Sequence, residues 1–308
     1  MQIYLPIAEL PVAVFLIFAM GAAIGFISGM FGVGGGFLMT PLLIFIGIPS
    51  SVAVATGGAQ IAASSLTGVL SYWRRRAIDL KLGLVLVAGG LIGTVLGVLF
   101  FNGMRRVGQL DLVINLSYVT LLGLVGGLML FDAIKSFIRQ RRGRPMRLRR
   151  AGQHSWYHGL PLRVRFRRSR IYISVIPVAL LGLSIGFAGT VLGIGGGFMV
   201  VPALIYFFRV PTAVVIGTSL FQILATMIAA TMLHAVTNHQ VDIVLALILI
   251  VGGVIGAQFG TRAGQNIKAG QFRLLLALLI CAVAVRFAVE IGVEPDDPYS
   301  LSATEIRQ

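Results

Sequence analysis

Gly32-Val-Gly-Gly-Gly-Phe-Leu-Met-Thr-Pro41 occurs a second time in this chain, as Gly193-Ile-Gly-Gly-Gly-Phe-Met-Val-Val-Pro202, 161 residues later. The surroundings repeat as well. Thr56 with Gln60 returns as Thr218 with Gln222, Ile78-Asp79 as Val241-Asp242, and Gly89, Gly93, Gly97 as Gly252, Gly256, Gly260, at offsets of 162 to 163. Order, spacing and residue type agree over about 70 residues, so the chain carries an internal duplication. In each copy the glycine triplet removes side chains where the chain changes direction, because positive φ costs glycine little. The short apolar segment that follows begins with unpaired N–H groups at the positive end of its dipole. Short, Gly/Pro-interrupted segments in matching positions of two halves point to a transporter binding site.

Composition supplies the solvent. Of 308 residues, 57% are apolar and 11% charged, with mean hydropathy +0.95. A soluble domain carries roughly a quarter charged residues. The missing charge calls for a bilayer, where about 20 apolar residues make one spanning helix. The apolar runs are long and lack a period of two, which selects helices over a barrel. The pattern predicts helical segments at about 11–31, 35–48, 51–73, 80–103 and 112–134, then 171–192, 196–208, 212–236, 242–262 and 272–291. The fold class read here is an all-α polytopic membrane protein of about 8–10 helical segments, in two inverted repeats with Gly-rich broken or half helices. The first charge is Glu9, so no cleaved signal peptide is expected. The single cysteine, Cys281, excludes an internal disulfide and reads as a small apolar residue.

Charge sets the expected topology. Thirteen of the 25 Lys and Arg lie between Lys135 and Arg170, a loop pattern rather than a nucleic-acid surface. The stretch after the third segment holds Arg74, Arg75, Arg76 and Lys81, whereas its counterpart at 234–242 holds no Lys or Arg. Short cytoplasmic loops are rich in Lys and Arg, so matching loops should face opposite sides and the repeats should be inverted. Arg105 and Arg106 violate that scheme. The expected organisation is 1–134 as first membrane repeat, 135–170 as basic cytoplasmic loop, 171–292 as second repeat and 293–308 as acidic tail, in a cell inner membrane. Trp156, Tyr157 and Phe166 among the loop arginines suit contact with anionic lipid.

The candidate substrate-binding residues are Gly34, Gly35, Gly36, Thr56 and Gln60 in the first half, with Gly195, Gly196, Gly197, Thr218, Ser219 and Gln222 in the second. A helix N-terminus is a ready anion site. Each Thr/Gln pair is four apart and shares one helix face, offering hydroxyl and amide donors inside an apolar span. The competing reading of these residues is helix packing through small and polar side chains, which accounts best for the Gly89 and Gly252 series. His234 and Asp242 are candidates for proton coupling. An interfacial histidine competes for the first, and N-capping competes for Asp79 and Asp242. Among the spans carboxylates are nearly missing, which favours an anion over a metal cation. No cofactor, metal site, nucleophile and base pair or nucleotide-binding motif is expected, and hence no enzyme.

On its duplicated Gly32–Pro41 and Gly193–Pro202 motifs, with Thr56/Thr218 and Asp79/Asp242, the chain resembles the TauE/SafE, or sulfite exporter, family of membrane permeases. The resemblance covers nearly the whole chain outside the basic loop and the tail. It implies movement of sulfite, thiosulfate, sulfoacetate or a related anion, some members exporting and others importing. The function expected is therefore a secondary transporter, an exporter of a small sulfur-containing anion, driven by the proton gradient, with access alternating as one repeat rocks against the other. Its partners would be that anion and membrane lipids, and no nucleic acid. The alternatives are a permease for another small solute and a non-transporting sensor whose basic loop binds a partner.

Overall fold

The computed structural model describes residues 2–31, 35–141, 162–166, 168–169, 171–208, 210–263 and 269–292. The basic stretch 142–161, the acidic tail and Gly34 lie outside the described residues. Ten helices occur among them: α1 (Val14–Phe31), α2 (Gly36–Phe45), α3 (Ser50–Arg74), α4 (Leu80–Arg106), α5 (Leu110–Arg141), α6 (Val175–Leu192), α7 (Gly197–Tyr206), α8 (Thr212–Asn238), α9 (Ile243–Ala263) and α10 (Ala269–Gly292). Among the described residues, six helices are long and apolar enough to cross a membrane. The ten expected segments are thus present, with ends moved by a few residues.

Two short strand pairs were not foreseen. β1 (Gln2–Leu5) pairs with β2 (Leu10–Ala13), and β3 (Arg163–Phe166) with β4 (Ile171–Ser174), both antiparallel. The hairpins are themselves repeated at an offset of 161. They shorten the expected first and sixth segments, because Pro11 sits in β2 and the run Ile171-Tyr-Ile-Ser forms β4. Ser174 then caps α6 by accepting from the Ile176 N–H at 3.3 Å.

The local geometry repeats at matching positions. α2 and α7 have 10 residues each, about 15 Å of rise, half of a ~30 Å hydrocarbon core. Pro49 and Pro211 precede α3 and α8 with φ near −51° and −57°. Arg76 and His239 follow those helices with φ of 54° and 52°. Asp79 and Asp242 cap α4 and α9, accepting from Leu82 N at 3.3 Å and Leu245 N at 3.0 Å. N-capping is therefore a role of both aspartates.

Packing interleaves the halves. α1 lies along α9 with backbones nearly touching: a Cβ on Gly21 would fall 2.8 Å from Leu249 O, and one on Gly252 would fall 2.5 Å from Phe18 O. α4 lies along α6 in the same manner, through Gly89, Gly93 and Gly97 against Ala179, Leu183 and Phe187. The small-residue series are packing faces, as read from the sequence. Both pairs run parallel, since residue numbers rise together along each contact. At the centre, the equivalent helices α3 and α8 run antiparallel. Gly58 meets Thr231 at one end and Gly68 meets Leu220 at the other. The pair α5 and α10 is antiparallel too, with Tyr118 stacked on Phe287 and Gly126 against Cys281.

The outer faces of α4, α5 and α9 expose Leu84, Leu91, Val95, Leu99, Leu116, Leu124, Leu128, Leu247, Val251 and Phe259. An apolar surface of that extent belongs against lipid rather than water. The chain is a multi-pass integral membrane protein.

Candidate functional site

The two glycine turns meet at the centre of the fold. Gly35, with φ of 63°, precedes α2, and Gly196, with φ of 71°, precedes α7. Gly193 and Gly195 also have positive φ, 67° and 66°. Glycine adopts this conformation at little cost, which accounts for Gly35, Gly193, Gly195 and Gly196. The turns touch: a Cβ on Gly36 would fall 2.5 Å from the Ile194 carbonyl carbon and from Ile61 Cδ1. Thr40 Oγ1 donates to Gly193 O at 3.1 Å. Phe37 and Phe198 face one another with centroids 6.0 Å apart. Ile61 and Ile223, equivalent residues of α3 and α8, both lie against Gly195.

Gln60 and Gln222 precede these isoleucines by one residue. Gln60 is fully buried, and neither its Oε1 nor its Nε2 has a partner. Its amide rests on the backbone of α9, where a Cβ on Gly253 would fall 2.5 Å from Nε2. An orphaned buried polar group costs about 1–3 kcal/mol, so an unsatisfied amide is a place where a ligand gains most. Gln222 is also fully buried but differs in its bonds. Its Nε2 donates to Thr226 Oγ1 at 3.4 Å, and only Oε1 is orphaned.

The threonines expected beside these glutamines do other work. Thr56 Oγ1 accepts the Asp242 N–H at 3.0 Å, and Thr218 Oγ1 accepts the Asp79 N–H at 3.1 Å. Each half therefore holds the cap residue of the other. The aspartates carry the exchange further. Asp242 Oδ2 accepts from Ile7 N at 3.0 Å in the first hairpin. Asp79 Oδ2 accepts from Ser169 N at 2.9 Å and Ser169 Oγ at 2.8 Å in the second. Arg168 adds a bond to Ile78 O at 2.7 Å. Ser219 Oγ donates back to Ile216 O at 2.9 Å.

His234 is 2% exposed rather than at an interface. Its Nε2 lies 3.3 Å from Thr190 O and its Nδ1 2.8 Å from Asn238 Nδ2. A carbonyl can only accept, so Nε2 carries the proton and Nδ1 accepts from the amide. Phe101 packs edge-on at 4.7 Å. Arg105, on the wrong side by the charge rule, donates to Asn238 O at 3.4 Å, where a cation suits the C-terminal end of α8.

Sequence reasoning missed four hydroxyls that are buried without partners: Ser28, Ser65, Thr94 and Thr231. None repeats at its matching position, so the duplication gave no signal for them. Around the glycine turns the described donors are amides, hydroxyls and backbone N–H groups. Among the described residues the buried carboxyls, Asp79 and Asp242, are committed to caps and hairpins. Such a set can bind a small anion and orient it, without proton transfer at the site.

Three comparisons bear on this geometry. The family described as "Sulfite exporter TauE/SafE" matches residues 17–287. A "Probable membrane transporter protein" of Xylella fastidiosa (strain 9a5c) is 30% identical over 275 residues, covering 86% of this chain and 91% of its own. The "Probable membrane transporter protein YjnA" of Bacillus subtilis (strain 168) is 28% identical over 266 residues, covering 86% and 95%. A "Sulfite exporter TauE/SafE family protein 3" of Arabidopsis thaliana is 32% identical over 77 residues, a quarter of this chain. No solved structure matches significantly.

Proposed function

Because the chain belongs to the sulfite exporter TauE/SafE family of membrane transporters, we propose that it is a secondary transporter exporting a small sulfur-containing anion, such as sulfite, thiosulfate or sulfoacetate, across a cell inner membrane. The observation that carries the reading is the fully buried, wholly unpartnered amide of Gln60, one residue before Ile61, whose side chain touches both glycine turns. The N-terminus of α2 faces the same centre, and an oxyanion is what a helix N-terminus and a free amide N–H together favour. Gln222 and the Gly195–Gly197 turn form the matching half of the site. Thr56 and Thr218 shape it by accepting the cap N–H of the other half, and Ser219 by donating within α8.

The antiparallel course of α3 and α8 supports inverted repeats, with the 135–170 stretch on the cytoplasmic side. The proton gradient is the drive in this reading, and His234 carries the proton. Rotation of the Asn238 amide would turn its oxygen toward Nδ1 and accept from a protonated ring. Asp242, the other expected coupling residue, keeps both carboxyl oxygens on N–H groups.

The test is anion flux in proteoliposomes of the purified protein, with sulfite, thiosulfate, sulfoacetate and sulfate loaded separately, with and without a pH gradient. Flux of one sulfur anion, abolished in the Gln60→Ala, Gln222→Ala double variant, is expected. Absence of flux for all of them under every gradient would refute the proposal.

A further inference from the structure

The two halves of the site are not equivalent, although the duplication that made them was regular. Ser28 in α1 corresponds to Gly189 in α6, at the offset of 161 that relates the glycine turns. Ser28 is 1% exposed and its Oγ has no partner. Its side chain abuts the first turn, where a Cβ on Gly35 would fall 2.9 Å from Ser28 Cβ. At the second turn the same place is a bare glycine, closed by a methyl group. A Cβ on Gly189 would lie 3.4 Å from Met227 Cε and 3.5 Å from the Gly195–Gly196 peptide.

The glutamines differ in the same sense. Gln60 has a free donor and a free acceptor, whereas Gln222 already spends its N–H on Thr226. The free groups of the first half are also neighbours. The Gln60 amide rests on Gly253, which packs on Gly25, and Ser28 stands one turn farther along α1 toward Gly35. An unpaired hydroxyl therefore stands against the turn that opens α2, and none stands at the matching place before α7.

We infer that the anion is bound on the first-half side alone, one per chain, with Ser28 Oγ and Gln60 Nε2 donating to it at the N-terminus of α2. This rests on the anion-transporter reading and adds to it a residue and a side. Ser28 is a binding residue in this scheme. The second half, with a glycine in place of the serine and the Gln222 amide nitrogen bonded to Thr226, is the surface that closes over the anion.

The inference has an unusual signature. Removing an orphaned buried hydroxyl costs no hydrogen bond in the empty protein, so Ser28→Ala should melt at or slightly above wild type. The same variant should bind the anion at least about tenfold more weakly, since a bond to a charged group is lost. The measurement is thermal stability of the detergent-solubilised full chain, titrated with sulfite, thiosulfate and sulfoacetate in turn, with proteoliposome flux alongside. Gly189→Ser, whose Cβ meets only ordinary contacts, tests whether the second turn gains affinity from a transplanted hydroxyl. Expected are one anion per chain, an unperturbed empty Ser28→Ala and a raised dissociation constant. Equal affinity in Ser28→Ala and wild type, with flux intact, would overturn the inference and leave the transporter reading standing. An empty Ser28→Ala that melts lower would make Ser28 a packing residue and overturn it too. Wild type without flux or binding for any of these anions would bring down both.

Discussion

Replacing Asp79 by Ala should be among the most damaging single changes outside the site. Its side chain is 4% exposed and accepts three hydrogen bonds: Leu82 N, Ser169 N and Ser169 Oγ. Loss of the cap costs about 1 kcal/mol. Ser169 is buried, so its N–H is left unsatisfied, at about 1–3 kcal/mol, and its hydroxyl loses a further bond worth about 1 kcal/mol. The sum is on the order of 3–5 kcal/mol, or a fall in melting temperature on the order of 10 °C for a chain of this size. Asp242→Ala loses one bond fewer and should fall by less. Ser169→Ala removes the hydroxyl alone and should cost about 1 kcal/mol. Asp79→Asn should fall less than the Ala variant, because its Oδ1 still caps Leu82 N while its amide sets a donor against the Ser169 N–H. The assay is size-exclusion chromatography with fluorescence detection after heating in detergent. An Asp79→Ala protein melting within about 2 °C of wild type would refute the claim that this carboxyl ties the second hairpin to the first half.

Three further outcomes are expected. In a Cys281→Ser background, Arg76→Cys should be shielded from an impermeant maleimide in intact cells while His239→Cys is labelled; reaction of both, or of neither, would refute inverted repeats. His234→Ala should flatten the pH dependence of flux, and an unchanged profile would remove His234 as the proton carrier. Tyr118→Phe should cost about 1–2 kcal/mol, since the buried Oη donates to Leu192 O at 2.7 Å while the ring keeps its 4.9 Å stack on Phe287; a melting point equal to wild type would show that bond to be idle.

What could be read in advance was whatever repeats or is periodic. The ten segments stand out because lipid-facing helices must be apolar along their length, and the glycine series because close backbones need small side chains every fourth residue. Gln60 and Gln222 were found because they recur four residues after a recurring threonine. The same criterion misassigned emphasis. Thr56 and Thr218 recur because each holds the other half's aspartate, and spacing along one helix cannot reveal a partner 186 or 139 residues away. Ser28 was passed over because it does not recur. The hairpins were missed because four-residue strands beside a long apolar run carry little pattern of their own.

The interleaved packing also alters how such a protein could move. Rocking one sequence repeat against the other would have to slide α1 along α9 and α4 along α6, where backbones are in contact over several turns. The cheaper division separates α1, α2, α3 and α9 from α4, α6, α7 and α8, each a body built from both halves. They meet along α3 and α8, where apolar side chains such as Ile61, Ile223 and Met227 pack together, and through the one bond from Thr40 Oγ1 to Gly193 O described above. Access then alternates by motion at that seam. Gly58→Cys with Thr231→Cys tests it, because a Cβ on Gly58 lies 4.0 Å from Thr231 Cβ, within the span of a disulfide. In a Cys281→Ser background the oxidised pair should arrest flux, and reductant should restore it. Full flux through the cross-linked protein would mean that α3 and α8 move as one, and the division between moving bodies would have to be drawn elsewhere.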